Sequence, residues 1–207
     1  MKVRRLGVFG GTFDPIHSGH LVAAASVQSA LELDYLIFVP TADSWHKTPG
    51  PEAPPADRLA MVDLAIRDHE GFIASSVDID RLGPTYTIDT LTDLQQQWER
   101  DQPDLDAQWF FVTGADALLD VPNWRDPQGI IARAHLVGVS RPGHELPPRD
   151  LLSGKYTLVE VATPDVASTQ IRELVRAGSS IEGLVPTSVA DYIARRGLYR
   201  QARQDSA

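Results

Sequence analysis

Residues 6–20 of the chain read LGVFGGTFDPIHSGH. The apolar run from Leu6 to Phe9 is typical of a strand that is buried on both faces, and Gly10 and Gly11 let the backbone turn sharply after it and approach a ligand closely. The residues that follow predict the start of a helix, where N–H groups and the positive end of the helix dipole attract a phosphate. This stretch therefore predicts a strand, a phosphate-binding turn and a helix in succession, which is the first unit of an α/β sheet.

Two imidazoles lie three positions apart at the end of this stretch. His17 and His20 share a face of the first helical turn, where both can donate hydrogen bonds to phosphate oxygens, and Gly19 leaves space beside them. A lone histidine near a helix start is more often a cap or a surface residue. The combination of two histidines with a Gly-Gly turn after a buried strand favours a nucleotide site. The rival dinucleotide-binding pattern, G-x-G-x-x-G, is not present at this spacing.

Further short apolar runs alternate with segments of helical spacing along the rest of the chain. The apolar runs are residues 35–39, 72–74, 109–112, 135–139 and 157–161, and the main helical segments are 21–31, 59–66 and 88–98. This alternation predicts a doubly wound, mostly parallel α/β sheet, in which ligands bind beyond the carboxyl ends of the strands. We expect one domain over residues 1–200, with a C-terminal helical part at about 168–200 and a frayed tail at 201–207.

Composition excludes several classes of protein. The net charge of −9 argues against a surface that coats nucleic acid, so no nucleic-acid partner is expected. The absence of cysteine excludes disulfides, thiolate metal sites and a catalytic thiol. We find no signal-peptide core and no apolar span of roughly 20 residues, so we expect a cytoplasmic protein without a membrane partner.

The segment GGTFDPIHSGH resembles the signature of the bacterial nicotinate mononucleotide adenylyltransferases, a family of the H-x-G-H nucleotidylyltransferase superfamily. Other segments are similar to further motifs of that family: TYTIDTL at 85–91, GAD at 114–116, Trp124, SRPG at 140–143, STQIR at 168–172 and the closing helix between Val185 and Tyr199. The likeness covers about residues 6–200. It implies a Rossmann-like fold and the transfer of AMP from ATP to nicotinate mononucleotide in NAD biosynthesis.

The resemblance also implies a set of site residues. The catalytic residues would be His17, His20, Lys47 and Arg172, which neutralise charge on the phosphates. The ATP site would comprise Gly10, Gly11, Thr12, Phe13, His17, His20, Gly114, Asp116, Arg141, Ser168, Thr169 and Arg172. The mononucleotide site would comprise Thr12, Lys47, Thr85, Tyr86, Thr87, Trp124 and Arg125. Trp124 would stack on the pyridine ring, and the backbone near Trp124 and Arg125 would receive its carboxylate.

Several of these residues have a simpler interpretation when each is taken alone. A single basic residue such as Lys47 or Arg141 is most often a solvated surface charge. Trp124 has the alternative role of packing a loop. The side chains of Asp116, Ser168 and Thr169 are typical helix caps. These alternatives stay open at the level of sequence.

The loop after the second strand departs from the family pattern. Trp45 precedes His46 and Lys47, where the family often has proline. Proline would stiffen that turn, whereas a large aromatic side chain is suited to covering the site. The sequence therefore leaves two questions open: how far the Lys47 side chain extends into the site, and whether this loop closes over the site as a lid.

The implied reaction needs no nucleophile from the protein. The 5′-phosphate of the mononucleotide is largely ionised at neutral pH, because its second pKa is about 6. The expected cofactor is Mg²⁺ held mainly by the ATP phosphates, since no group of acidic residues has the spacing of a protein metal cage. Rival interpretations are a cytidylyltransferase, a phosphopantetheine adenylyltransferase and a nucleotide-sensing module without turnover. The expected partners are ATP and nicotinate mononucleotide, and assembly into a homo-oligomer is left open.

Overall fold

A computed structural model describes residues 3–42, 50–81, 83–140 and 151–200. Its strands form one parallel sheet in the order β3-β2-β1-β4-β5-β6. The strands are β1 (Arg4–Gly11), β2 (Tyr35–Pro40), β3 (Phe72–Ala74), β4 (Ala107–Gly114), β5 (His135–Ser140) and β6 (Tyr156–Glu160). All the strands predicted from apolar runs are present, and the predicted parallel α/β sheet is confirmed.

The helices connect these strands and cover both faces of the sheet. They are α1 (Ser18–Ala30), α2 (Pro55–Ile66), α3 (Val77–Asp80), α4 (Thr87–Asp101), α5 (Ala115–Asp120), α6 (Pro127–Arg133), α7 (Ser168–Arg176) and α8 (Thr187–Arg196), with 3₁₀ turns at Val121–Asn123 and Leu151–Gly154. Sequence spacing predicts α1, α2, α4, α7 and α8. It misses α3, α5 and α6, because helices of four to seven residues are too short to display a period.

Four prolines within residues 49–55 predict a loop, but the described part of this segment ends in a helix. Pro54 is the N-cap of α2 and Pro55 is the first helical residue. A helix accepts proline at this position because the first N–H has no partner within the helix. The last two prolines of this segment therefore begin α2.

Both faces of the central strands are buried, which explains their continuous apolarity. In β2, Leu36 and Phe38 pack into the core on the side of α1, α2, α7 and α8, while Ile37 and Val39 pack into the core on the side of α4 and α6. A strand between two helical layers needs apolar residues at every position rather than at alternate positions. The predicted doubly wound arrangement follows from this pattern.

The strand order reverses beside β1, which pairs with β2 on one edge and with β4 on the other. In such sheets the connections leave to opposite faces at this point, and a crevice opens beyond the carboxyl ends of the two strands. The GGTF segment therefore lies where a ligand is expected. Within the described ranges, no helix combines the length and apolar character needed to cross a bilayer.

Candidate active site

The two histidines of the first helical turn lie side by side. Their rings stack with centroids 3.7 Å apart and an interplanar angle of 23°. The His17 backbone N–H donates to Nδ1 of His20 over 3.2 Å. Because that nitrogen accepts a hydrogen bond, a neutral His20 ring carries its proton on Nε2 and can donate from there. The backbone N–H of Ser18 is one of the helix-start groups expected to bind a phosphate. It instead donates to the carbonyl of Leu184.

Glycines keep the histidine turn compact. A Cβ added to Gly19 would stand 3.1 Å from the His17 ring and 3.2 Å from Val166. A Cβ on Gly11 would stand 2.8 Å from the ring of Phe13, which is buried with a positive φ of 49°. Any side chain at either glycine would therefore displace a wall of the site.

A cavity of about 700 Å³ opens beside these histidines, and we call it the histidine cavity. It crosses the carboxyl ends of β1, β4 and β5. Its lining includes Gly10, Gly11, Thr12, Phe13, His17, His20, Thr113, Gly114, Asp116, Ser140, Thr163 and Ser168. The structure thus brings together most of the residues predicted for ATP. Ser140 and Thr163 were not predicted: Ser140 begins the SRPG motif, from which only Arg141 was assigned to the site, and Thr163 lies in no quoted motif.

A second cavity of about 530 Å³ adjoins the first, and we call it the tryptophan cavity. The predicted mononucleotide residues Thr12, Thr85, Tyr86, Thr87, Trp124 and Arg125 all line it, as do the unpredicted Thr41, Asp78, Thr90 and Asp120. Gly10, Gly11, Thr12 and Thr113 line both cavities. Ligands in the two cavities would therefore meet above the GGT turn.

Aromatic side chains form one wall of the tryptophan cavity. The half-buried Trp124 meets Phe111 edge to face, with ring centroids 6.0 Å apart. Trp124 therefore packs its loop and borders the cavity at once, so the two roles considered from the sequence are compatible. The guanidinium carbon of Arg125 lies 4.8 Å from the centroid of the Tyr86 ring.

Four hydroxyl oxygens in the cavity walls are buried without a hydrogen-bond partner among the described residues. They belong to Thr41 and Thr85 in the tryptophan cavity and to Ser140 and Thr163 in the histidine cavity. Leaving a buried hydroxyl unpaired costs about 1–3 kcal/mol. Such groups are suited to binding a polar ligand.

Asp78 forms a polar wall of the tryptophan cavity. Thr90 Oγ1 donates to its Oδ1 over 2.6 Å, and Arg81 Nη1 donates to the same oxygen over 3.0 Å. Burial raises the pKa of Asp78 above the usual value, although both of these hydrogen bonds oppose that rise. The carboxyl group is thus held in place by Thr90 and Arg81.

Arg172 is not among the described residues that line either cavity. Its Nη1 donates to the Asp14 carbonyl and its Nε donates to Glu52 Oε1, both over 2.8 Å. Glu52 also pairs with Arg176, one turn further along α7. Although burial raises the pKa of Glu52, the hydrogen bonds from Arg176 and Arg172 outweigh it, so the pKa is lowered. Arg172, which was predicted to bind phosphate, is therefore held by a carboxylate of the protein itself.

The carboxylate of Asp14 joins distant parts of the chain beneath the histidine turn. It accepts the backbone N–H of Glu52 over 2.8 Å and that of Ala53 over 3.1 Å. The hydroxyl of Tyr199 donates to it over 2.8 Å. Burial and the neighbouring Asp14 charge raise the pKa of Tyr199, which keeps the phenol protonated as a donor. Asp14 thereby fixes the loop before α2 and the chain after α8 to the site.

Arg58 supports the shared floor from below. Its side chain is fully buried and donates to the carbonyls of Thr12 over 2.7 Å, Ala42 over 3.0 Å and Ala53 over 3.2 Å. Burial lowers its pKa, and the nearby charge of Asp14 opposes that change. The guanidinium thus ties the turn after β1 to the loops before and after residues 43–49.

Comparison with known proteins places this architecture in a family. Residues 8–174 match the cytidylyltransferase-like family model. The chain is 46% identical over 204 residues to a probable nicotinate-nucleotide adenylyltransferase of Saccharopolyspora erythraea, covering 99% of this chain and 93% of the relative. It is 43% identical to a protein of the same name from Corynebacterium glutamicum, covering 97% and 91%. The chain belongs to the nicotinate-nucleotide adenylyltransferase family.

A solved structure shares the fold of this family member. The Plasmodium falciparum nicotinic acid mononucleotide adenylyltransferase, complexed with NaAD, aligns with a TM-score of 0.73 over 95% of this chain and 97% of that chain. The two chains are 17% identical, so this likeness concerns the fold alone. The family resemblance predicted from the motifs is confirmed by the closer relatives.

Lys47 and Arg141, together with Trp45 and His46, lie outside the described residues. Their roles stay predictions.

The structure locates the three residues that were considered as helix caps. Asp116 is the second residue of α5, whose N-cap is Gly114. Ser168 and Thr169 are the first two residues of α7, whose N-cap is Ala167. The Ser168 hydroxyl instead donates to the Pro15 carbonyl over 2.9 Å, while Thr169 Oγ1 accepts from Arg172. Within the described part of the chain, no three His, Asp or Glu side chains are grouped to hold a metal ion.

Proposed function

We propose that this chain transfers the AMP part of ATP to nicotinate mononucleotide, releasing pyrophosphate and forming nicotinate adenine dinucleotide for NAD biosynthesis. The observation that carries the proposal is the pair of adjoining cavities with Gly10, Gly11 and Thr12 as a common floor. ATP occupies the histidine cavity and the mononucleotide occupies the tryptophan cavity. Two reacting phosphates then meet over one turn of backbone, and such alignment accelerates a reaction between two substrates.

The chemistry is a direct displacement at phosphorus. An oxygen of the mononucleotide 5′-phosphate forms a bond to the α-phosphorus of ATP. The bond from that phosphorus to the α,β-bridging oxygen breaks, and its electron pair leaves with pyrophosphate. The attacking phosphate needs no general base, because most of it is ionised at neutral pH with a second pKa of about 6.

Protein residues stabilise the charge that this displacement moves. His20 donates from Nε2 to the oxygens of the α-phosphate, and the stacked His17 holds the neighbouring ring in place. Ser168 begins α7 at the wall of the same cavity and positions the helix that carries Arg172. Lys47 and Arg172 neutralise the phosphates of ATP and the departing pyrophosphate.

The tryptophan cavity receives the pyridine nucleotide. The indole of Trp124 stacks on the pyridine ring, and the unpaired hydroxyls of Thr41 and Thr85 hydrogen-bond to its polar groups. Asp116, at the wall of the histidine cavity, belongs to the site proposed for ATP.

Magnesium binds mainly through the phosphates of ATP. Asp116 is the one carboxylate among the described residues that line the histidine cavity, so the protein brings few ligands of its own there. When bound, the ion supplies positive charge beside the phosphate oxygens. Protein residues orient the two substrates around it.

A product assay tests this function. The purified protein is incubated with Mg²⁺, ATP and nicotinate mononucleotide, and pyrophosphate and the dinucleotide are measured together. We expect the two products in equal amounts. Faster reaction with CTP in place of ATP, or with phosphopantetheine as acceptor, would contradict the proposal. Binding of ATP without release of pyrophosphate would instead indicate a nucleotide-sensing module.

A further inference from the structure

Arg125 differs from the other arginines near the two cavities in the use of its hydrogen-bond donors. Arg58 donates to three carbonyls, and Arg172 donates to a carbonyl, a carboxylate and a hydroxyl. Arg81 is bound by Asp78 and Asp93. Arg125 lines the tryptophan cavity, and its guanidinium has no hydrogen-bond acceptor among the described residues. Its donors are therefore available to a ligand.

The position of this guanidinium is nevertheless defined. It lies over the Tyr86 ring, with 4.8 Å between the guanidinium carbon and the ring centroid. Its Nη1 stands 3.6 Å from Oδ2 of Asp89, a distance that attracts the charge without forming a hydrogen bond. Stacking on an aromatic face leaves the edge of the guanidinium, which carries the N–H groups, open to a planar anion.

Arg125 is the one basic residue among the described residues that line the tryptophan cavity. The other charged side chains among its described lining residues are Asp78 and Asp120, which are both acidic. Asp78 is bound by Arg81 and Thr90, and Asp120 accepts a hydrogen bond from Asn123. A carboxylate that enters this cavity therefore meets one described cation in the wall, which is Arg125.

We propose that the side chain of Arg125 selects the carboxylate of nicotinate mononucleotide over the carboxamide of nicotinamide mononucleotide, and that Asp89 limits this selection. This inference rests on the proposed function and adds the group that determines its pyridine substrate. A guanidinium binds a carboxylate through two charge-assisted hydrogen bonds, whereas a carboxamide offers one neutral oxygen. Asp89 competes for the same guanidinium and weakens its attraction for the substrate.

The test compares the two mononucleotides in Arg125→Gln. We expect the ratio of kcat/KM for the acid to kcat/KM for the amide to fall by roughly 10-fold or more, because a hydrogen bond to a charged group is lost. The change should come from the KM of the acid, while kcat/KM for the amide stays within about 3-fold of the wild-type value. Arg125→Lys keeps the charge and should retain part of the preference. Asp89→Asn should raise the ratio by roughly 3-fold.

Arg195→Gln is the matched control. It removes the same charge from an exposed position on α8, which packs on the opposite face of the sheet, and it should leave the ratio unchanged. Calorimetric titration of each mononucleotide into wild type and Arg125→Gln measures the same preference without turnover.

Two results would count against the inference in different ways. An active Arg125→Gln enzyme with the wild-type ratio in both assays would overturn the inference alone. If the wild-type enzyme neither binds nor converts nicotinate mononucleotide, the proposed function fails, and this inference fails with it.

Discussion

The histidine cavity and the tryptophan cavity share a floor but differ in how their charged groups are held. Beside the histidine cavity, Arg172 and Arg58 are bound by carbonyls and carboxylates of the protein. In the tryptophan cavity, Arg125 stands against an aromatic ring with its donors open. The arginines beside the histidine cavity are thus tied into the scaffold, whereas the arginine of the tryptophan cavity is held by few contacts. Under the proposed function, this difference implies that the choice of pyridine substrate can be changed without disrupting the site proposed for the phosphates.

The largest expected effect comes from His20→Ala, which tests the phosphate side of this comparison. Loss of a donor to the α-phosphate should lower kcat by roughly 100-fold or more while the fold is kept. Steady-state kinetics measure the loss, and a thermal melt checks the fold. His69→Ala, at an exposed histidine that lines neither cavity, is the control. Near-normal turnover of His20→Ala would show that the imidazole does not stabilise transferred charge.

Arg58→Met breaks the support that the two cavities have in common. Three carbonyls lose their buried donor, so we expect the free energy of unfolding to fall by about 2 kcal/mol. KM should rise for both substrates, since Thr12 belongs to both cavities. Urea unfolding and kinetics with each substrate varied in turn give the two values. A rise in only one KM would mean that the floor does not act as one unit.

Trp124→Ala sharpens the comparison from the pyridine side. Loss of stacking should raise KM for the mononucleotide by roughly 10-fold and leave KM for ATP unchanged. Trp124→Phe, which keeps an aromatic face, should recover most of the affinity. An equal rise in both KM values would argue that Trp124 packs its loop and does not bind the ring.

Glu52→Gln has the smallest expected effect. It tests whether the Glu52 carboxylate competes with the ATP phosphates for Arg172 and Arg176. Releasing Arg172 and Arg176 should lower KM for ATP by roughly 3-fold, as expected for partly exposed ion pairs. Inhibition by added pyrophosphate should strengthen in parallel. Glu173→Gln makes the same charge change on α7 and should have little effect. A higher KM for ATP would instead assign Glu52 a supporting role.

The sequence predicts features that are local and fails where contacts are distant. Apolar runs identify the strands because both faces of the sheet are covered, and the spacing of His17 and His20 predicts their shared face. The family resemblance, rather than spacing, indicates Thr85 and Trp124. No pattern predicts that Glu52 would hold Arg172, 120 positions away. The family resemblance predicts that Arg172 belongs to the site, but the orientation of its side chain depends on tertiary packing.

The hydrogen bond between Tyr199 and Asp14 sets an order of assembly during translation. The tyrosine leaves the ribosome 185 positions after the aspartate to which it donates. At about 5–20 residues per second, this separation corresponds to a delay of roughly 10–40 s. Throughout that interval the nascent chain already contains the signature motif, but the carboxylate beneath it lacks its phenol partner. A translation product that stops before Tyr199 would therefore have an incompletely anchored turn despite carrying both histidines.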